Sequence, residues 1–510
     1  MNLLHWIRSR LEDRRTTSPL TRSKPSKMLT RWDEQTLRSY FAHSDDICIA
    51  AHTYSNPACP KVIFVYCEGM IDSKQLQEWV IPNVTVCIKE HSKWETITDH
   101  LGGLLQLESI RSDESLFTRL FSGHLVIVFE ALSLVYTVSI PQIPQRNPEE
   151  SATEISLKGP RDAFTEEIST NVALIRKRLR TPTLCNEPFE IGTRSRTKVS
   201  LMYIRDIANP NTIQEARNRL NNICVDALLS SAQLEEGLSD RSYSLFPLID
   251  YIGRPDFIAE SLLRGRFAVL VDGSPMALIA PSNLTSQLKS PEDLHLTFYF
   301  VSFERALRLI GLFVAIFVPG FWVALSTFNM EQLPFPLLAT VVTSRTGLPT
   351  SAPLEALLML FLFEIFREAG IRLPKAVGQT IAVVGGLIIG DAAIRAGLAS
   401  PTMLIASSVT AVATFTLVNQ SLSGTVSVLR LFVLVCSSIL GLFGFFISMF
   451  FIVVYLSGLR SFGLPYLAPL SPITFRGLIP ALLALPWSAE KSRPGMLETI
   501  DSTREGTSKE

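Results

Sequence analysis

No charge imbalance, no paired cysteines and no metal-spaced histidines mark this chain. Its 47 basic and 47 acidic residues cancel, which argues against a nucleic-acid binder held by bulk electrostatics. The seven cysteines (48, 59, 67, 87, 185, 224, 436) include no Cys-x-x-Cys pair and have no histidine at zinc-finger spacing, so they read as reduced thiols in a cytoplasmic domain. The seven histidines form no metal-spacing pair, and neither a Gly-x-Ser-x-Gly turn nor a phosphate-binding loop occurs. An enzyme, a metal site and a bound cofactor are therefore not expected. Eight Lys/Arg fall within the first 31 residues but no apolar stretch follows them. A signal peptide is thus not expected, and the N-terminal part should stay in the cytoplasm.

What is present is divided. Residues up to about 300 are polar and mixed in charge, whereas 306–456 is mostly apolar, which predicts an α/β N-terminal region of two subdomains followed by an all-α polytopic membrane domain. Residues 1–40 read as a basic, disordered arm. In 41–140, Ile47–Ala51, Val62–Tyr66, Val84–Ile88 and Leu125–Phe129 read as strands, with helices at 73–80 and 112–121. Pro141, Pro144, Pro148 and Pro160 make 141–163 a linker, because proline at that density removes backbone donors. A second α/β subdomain spans 164–300. Its expected elements are helices at Thr165–Arg180, 211–223 and 231–238, and strands at Val199–Ile204, Phe267–Val271 and Met276–Ala280.

The apolar part, 301–487, divides into five or six segments: 306–328, 353–369, 377–399, 402–422, 431–456 and, if it crosses, 467–487. Residues 488–510 form a polar tail whose side depends on that last run. Ala306–Phe328 is long enough to cross a hydrocarbon core of about 30 Å, with a kink expected at Pro319-Gly320. Arg305 and Arg308 place its start in the cytoplasm by the positive-inside rule. The same rule puts the Arg367/Arg372/Lys375 loop and Arg430 on the cytoplasmic side, and Arg345 and Arg460 on the far side.

Charges inside these runs are the main functional signal, since an ionisable residue at bilayer depth is costly unless it faces protein, a partner charge or water. Glu355 and Glu364 are nine steps apart, on opposite faces of a helix, so that segment is either sheltered in protein or interfacial at one end. Asp391 and Arg395 stand at i,i+4 and can neutralise each other. Gly386, Gly390 and Gly397, with Ala382, form a ridge that would let another backbone approach. Ser407, Thr410 and Thr414 make a narrow hydroxyl stripe, which can line a water path or make interhelical and backbone hydrogen bonds.

Several blocks, in this order, carry a resemblance. They are Gly159-Pro-Arg-Asp-Ala-Phe-Thr-Glu166 with Asn171 and Arg176-Lys-Arg178, Gly253-Arg-Pro-Asp256, and Gly265-Arg-Phe with Asp272-Gly-Ser-Pro275. Further on come Phe363-Glu-Ile-Phe-Arg-Glu-Ala-Gly-Ile-Arg-Leu-Pro374, Gly390 through Pro401, and Ser461-Phe-Gly-Leu-Pro-Tyr466. From about Lys158 to Pro486 the chain resembles the A subunit of GerA-type spore germination receptors, with 1–140 similar only in general pattern. At Asp391 and Arg395 it departs from that family's usual residues by a paired change of opposite charges.

The resemblance implies a multi-pass protein of the spore inner membrane with a cytoplasmic N-terminal domain, in contact with membrane lipid. It further implies a complex with a transporter-like B subunit and a lipoprotein C subunit, and a homo-oligomer whose helices form an ion path opened by nutrient. On that reading Glu355, Glu364, Ser407, Thr410 and Thr414 are candidates for the path or its gate, and Gly386, Gly390, Gly397, Asp391 and Arg395 for helix packing. The alternatives are a secondary transporter, against which stands the lack of an inverted repeat, and a non-conducting scaffold that docks the nutrient-binding subunit.

Overall fold

The computed structural model describes residues 32–56, 59–91, 94–110, 112–132, 134–142, 158–372, 390–473 and 475–504. The basic arm up to residue 31, most of the Pro-rich linker and Gly386 lie outside them. The chain forms two compact units, one built from Met1–Ala42, Ile47–Cys67 and Ile71–Pro141, the other from His43–Asp46, Glu68–Met70 and Gln142–Glu510.

The first unit is a five-stranded antiparallel sheet in the order β1-β2-β4-β5-β3. The strands are β1 (Ile47–Thr53), β2 (Lys61–Cys67), β3 (Glu108–Ser109), β4 (His124–Phe129) and β5 (Leu134–Ser139). Among the described residues the helices are α1 (Glu34–Tyr40), α2 (Ile81–Glu90), which continues a helical run over the expected 73–80, α3 (Trp94–Leu105) and α4 (Asp113–Leu120). Val84–Ile88, expected as a strand, lies inside α2. Its buried residues Val84, Cys87 and Ile88 fall at helical spacing on one face, so the β-branched composition was outweighed by a 3.6-residue apolar stripe.

The α/β part of the second unit repeats a five-stranded antiparallel sheet, in the order β6-β7-β9-β10-β8. Its strands are β6 (Leu184–Ile191), β7 (Thr197–Ile204), β8 (Asp250–Ile252), β9 (Phe267–Val271) and β10 (Ala277–Ala280). Central β9 is buried along its whole length, while edge strand β6 tolerates Pro188, as a strand with a free flank can. Around the sheet lie α5 (Ile168–Arg178), α6 (Pro210–Asn222), α7 (Ser231–Leu238), α8 (Pro255–Leu263) and the single turn α9 (Leu284–Gln287). Asn209 and Pro210 start α6 as N-cap and first residue, a combination that satisfies an orphan donor and removes another.

The helical part begins with α10 (Phe298–Thr327), which starts eight residues before the expected span and runs unbroken through Pro319. It continues through α11 (Phe335–Arg345), not expected from the sequence, α12 (Ala352–Arg372), helical backbone at 390–395, α13 (Pro401–Phe415) and α14 (Gln420–Gly458). The short pair β11 (Arg460–Ser461) and β12 (Leu464–Pro465) and the eight-residue α15 (Phe475–Leu482) follow. At about 1.5 Å per residue α15 is too short to cross a bilayer. Residues 490–504 pack on the α/β part: Arg504 pairs with Glu260 at 3.0 Å and Ile500 donates to the Ile207 carbonyl at 3.0 Å.

Both α10 and α14 are long and apolar enough to cross a membrane, but α14 is not one straight rod. Gly441 breaks it with φ 61° and ψ −142°. Thr425 donates its hydroxyl to the Leu245 carbonyl, and the Leu245 amide donates to the Tyr455 hydroxyl at 3.0 Å. A straight helix would separate positions 425 and 455 by about 45 Å. The element is therefore a helical hairpin, with arms 420–440 and 442–458 folded back at Gly441. A Cβ at Gly441 would lie 2.8 Å from Phe328 Cβ, and one at Gly444 would strike the Cys436 carbonyl, so the turn needs both glycines.

This overturns the expectation of a single span at 431–456 with Arg460 at the far end. The second arm returns Arg460 to the end where the chain meets the α/β part. Nearby, Phe462 donates its amide to Asp240 at 2.6 Å and Ser461 donates its hydroxyl to the Leu248 carbonyl at 2.7 Å. Bundle packing is close: a Cβ at Gly320 of α10 would meet Val433 at 2.8 Å and Ser437 at 2.9 Å. The outward faces carry large apolar side chains, among them Phe361, Ile405, Val412, Phe443 and Phe450.

Candidate functional site

Glu355 is 0% exposed. It sits in the first turn of α12, where Ser400, the N-cap of α13, donates to its Oε1 from both the backbone amide and, at 2.5 Å, the hydroxyl. Its Oε2 lies 4.0 Å from Arg345 at the end of α11 and has no hydrogen-bond partner among the described residues. One carboxylate thus joins three elements, and half of it is left poorly satisfied.

Glu364, two and a half turns further along α12, joins α12 to α14. It pairs with Arg367 on its own helix and with Arg430 of α14 at 3.1 Å, and the Ser427 hydroxyl donates to it at 3.4 Å. Arg430, 6% exposed, also donates to Thr414 of α13 at 3.3 Å. Arg430 was read from the sequence only as a topological marker. Its position in an otherwise uncharged apolar run was the signal for a buried partner.

Ser407, Thr410 and Thr414 are all buried. Thr410 donates to the Ala406 carbonyl at 2.8 Å and Thr414 to the Thr410 carbonyl at 2.9 Å, the back-bonding expected of hydroxyls in an apolar helix. In this chain the stripe faces protein.

The packing candidates scatter. Asp391 and Arg395 form the i,i+4 ion pair at 2.8 Å but are 58% and 80% exposed among the described residues. Gly390 sits against Leu404. Gly397 lies beyond the helix end with φ +67°, where glycine serves to terminate a helix and not to pack one.

The joint between the α/β part and the helices was invisible in the sequence. Besides the Leu245, Leu248 and Asp240 contacts, Asn419 donates to Asp250 at 2.7 Å and Tyr466 donates to Gln287 at 2.8 Å. Arg305 and Arg308 of α10 hold Asp293 at 2.8 and 2.9 Å. Burial pushes the Asp250 carboxyl up to about 6, against the opposing pull of Arg266 and Asn419. Burial, with the charge of Asp250, pushes Glu235 to about 7. Among the described residues no cluster of His, Cys, Asp and Glu could hold a metal ion.

A polar joint thus fastens an antiparallel α/β part to an apolar helical bundle that buries carboxylates, two of whose helices are long and apolar enough to cross a membrane. The family described as Bacillus/Clostridium GerA spore germination protein matches residues 35–496, and the chain belongs to it. The match starts well before Lys158 and so takes in the first unit. The chain is 43% identical to spore germination protein XA of Bacillus anthracis over 93% of its length and 97% of that protein. It is 34% identical to spore germination protein KA of Bacillus subtilis over 87% of this chain and 82% of that one. It is also 34% identical to the uncharacterized membrane protein YfkQ of Bacillus subtilis, over 88% of each. A crystal structure of the N-terminal domain of the A subunit of the Bacillus megaterium spore germinant receptor GerK3 aligns with 30% identity and a TM-score of 0.39, covering 51% of this chain and 98% of that one.

Proposed function

We propose that the chain is the A subunit of a nutrient-sensing germination receptor in the spore inner membrane. In this role it converts germinant binding on a partner subunit into ion release, as one member of an oligomeric ligand-gated channel. The partners are a transporter-like B subunit, a lipoprotein C subunit, further copies of this chain and membrane lipid, with the N-terminal units in the cytoplasm. The observation that carries the reading is the pair Glu355 and Glu364, two carboxylates within the helical part of a germination-family chain. Both are held by cross-helix partners that a small rearrangement would release. Nutrient binding would bias a two-state bundle, and ions would cross where these carboxylates change partners.

The test is ion release from spores carrying Glu355→Gln, Glu364→Gln and Ser407→Leu singly, with the level of the protein and its partner subunits measured in each. Altered release at normal levels supports a conducting or gating role, and normal release from all three rejects that assignment. The scaffold reading has one observation in its favour, the back-bonded burial of Thr410 and Thr414. It predicts that these substitutions lower complex level and leave the release kinetics of the remaining complexes unchanged.

A further inference from the structure

We infer that α15 and the chain after it, as far as Trp487, form an in-plane surface that rests in the headgroup layer of the membrane, on the side of the α/β part. The run from Gly477 to Ala489 contains no charged residue, and fully helical it would reach only about 20 Å, short of a hydrocarbon core of about 30 Å. It lies against α9 and α10. Ala481 and Leu482 turn inward, toward Leu288 and Leu309. The outer face carries Ile479 and Leu483, about 40° apart on a helix, and Leu483 continues the turn by donating its amide to the Ile479 carbonyl at 2.8 Å. Ile479, Leu483 and Trp487 are 42%, 45% and 88% exposed. Such an uncovered apolar grouping marks an interaction surface.

The level of this surface along the bundle points to what covers it. Ser302 of α10 holds both backbone groups of Ala484: its hydroxyl accepts from the amide at 3.0 Å and donates to the carbonyl at 3.1 Å. From Ser302 to Phe328, where α10 ends beside the Gly441 turn, is about 39 Å of helix. A bilayer with both headgroup regions measures about 40–45 Å. With Phe328 and the hairpin turn in one headgroup region, Ser302 and Ala484 therefore fall in the other.

The exposed side of α10 agrees. Phe300, Phe303, Leu307 and Ile310 form an uncovered apolar stripe that starts at the same level and runs toward Phe328, while Arg305 and Arg308 turn away from it to Asp293. The outer face of α15 thus continues a lipid-facing surface. Tyr299, 66% exposed, and Trp487 supply the amphipathic rings that favour headgroup level. Beyond Trp487 the chain becomes polar, and Glu490 returns to the α/β part by pairing with Arg264 at 2.9 Å. The inference rests on the membrane reading of α10 proposed above, and is independent of any ion path.

The test uses the full chain in vesicles of phosphatidylglycerol and phosphatidylcholine, with a spin label introduced singly at Leu483, Phe313 or Leu229 through an unnatural amino acid. Depth is read from collisions of the label with oxygen and with a nickel chelate. Leu229, 80% exposed on the α/β part, is the reference for water, and Phe313, 53% exposed on α10, the reference for hydrocarbon. The label at 483 should lie about 16 Å shallower than the one at 313, the rise along α10 from Ser302 to Phe313, and within about 10 Å of the phosphate level. A label at 483 as open to water as the one at 229 overturns the proposal, and so does one as deep as 313. Screening of 483 from both reagents overturns it in favour of a second copy of the chain on this face. If the label at 313 itself reads as open to water, the membrane reading of α10 falls and the proposal with it, so the two failures are told apart.

Discussion

Asn419 donates its side-chain amide to Asp250 at 2.7 Å, tying the turn between α13 and α14 to strand β8. The bond crosses 169 positions of sequence and ends on a carboxyl whose proton affinity burial raises to about 6. Glu235, raised to about 7, lies within its electrostatic reach.

Both groups hold protons in the folded chain at pH values where an unfolded chain has released them. By linkage, stability is full below about pH 4 and falls as pH rises through about 6 to 7. The Asp250 share is on the order of 3 kcal/mol at most, since about 2 pH units separate the folded and unfolded values. Asp250→Asn keeps an acceptor for Asn419 and removes the titration. The fall in melting temperature between pH 5 and pH 7.5 should therefore shrink in this variant, and an unchanged pH profile would show that Asp250 is not a source of the dependence.

The hairpin within α14 makes a geometric prediction. Val428 and Val454 are exposed on its two arms. Helix axes in contact lie about 8–10 Å apart, whereas a straight helix would separate these positions by about 39 Å. Spin labels at 428 and 454 should report a distance well under 30 Å by dipolar spectroscopy. Gly441→Val should lengthen it or abolish folding, because a branched residue in left-handed backbone is strained and its side chain would meet Phe328.

Gly441 also shows how far the sequence can be read. Hydropathy gave the existence of the apolar segments, and local pattern gave α5, α6, α7 and the strands β1, β2, β4, β7, β9 and β10, whereas β3, β5, β6, β8, β11 and β12 went unread. A continuous apolar run of helix formers, however, looks the same whether it crosses once or folds back. What decides is where Leu245 meets Thr425 and Tyr455, a contact between residues 180 or more positions apart. Glu355 and Glu364 were legible as costly charges, while their partners Ser400, Arg345 and Arg430 were not, since pairing across helices leaves no spacing rule. Val84–Ile88 failed for the opposite reason, a local composition that favours strands inside a helical stripe.

Glu364 and Arg430 should behave as a coupled pair. Glu364→Gln leaves Arg430 buried with only neutral partners, a loss on the order of 1–2 kcal/mol because the Glu364 side chain is itself 36% exposed. The double variant Glu364→Gln/Arg430→Gln removes both charges and should recover most of the lost protein level in spores. If the double variant is no better than the sum of the two singles, the pair is not energetically coupled and α12 is held to α14 by other contacts.

Glu355 separates a structural from an ionic role more sharply, because its two oxygens do different things. Oε1 caps α13 through Ser400, and a glutamine can still accept there, so Glu355→Gln should keep the protein near its normal level. Ser400→Ala removes the N-cap hydroxyl and one donor to Glu355, costing about 1 kcal/mol by the usual value of a cap and lowering the level modestly. Oε2, facing Arg345 at 4.0 Å, carries the charge that glutamine abolishes. If that charge belongs to a path or gate, Glu355→Gln should change ion release several-fold at normal protein level. Ser400→Ala should then reduce the level while leaving the release rate per receptor intact. The reverse pattern, normal release from Glu355→Gln and altered kinetics from Ser400→Ala, would assign the function to the cap and leave the carboxylate as packing.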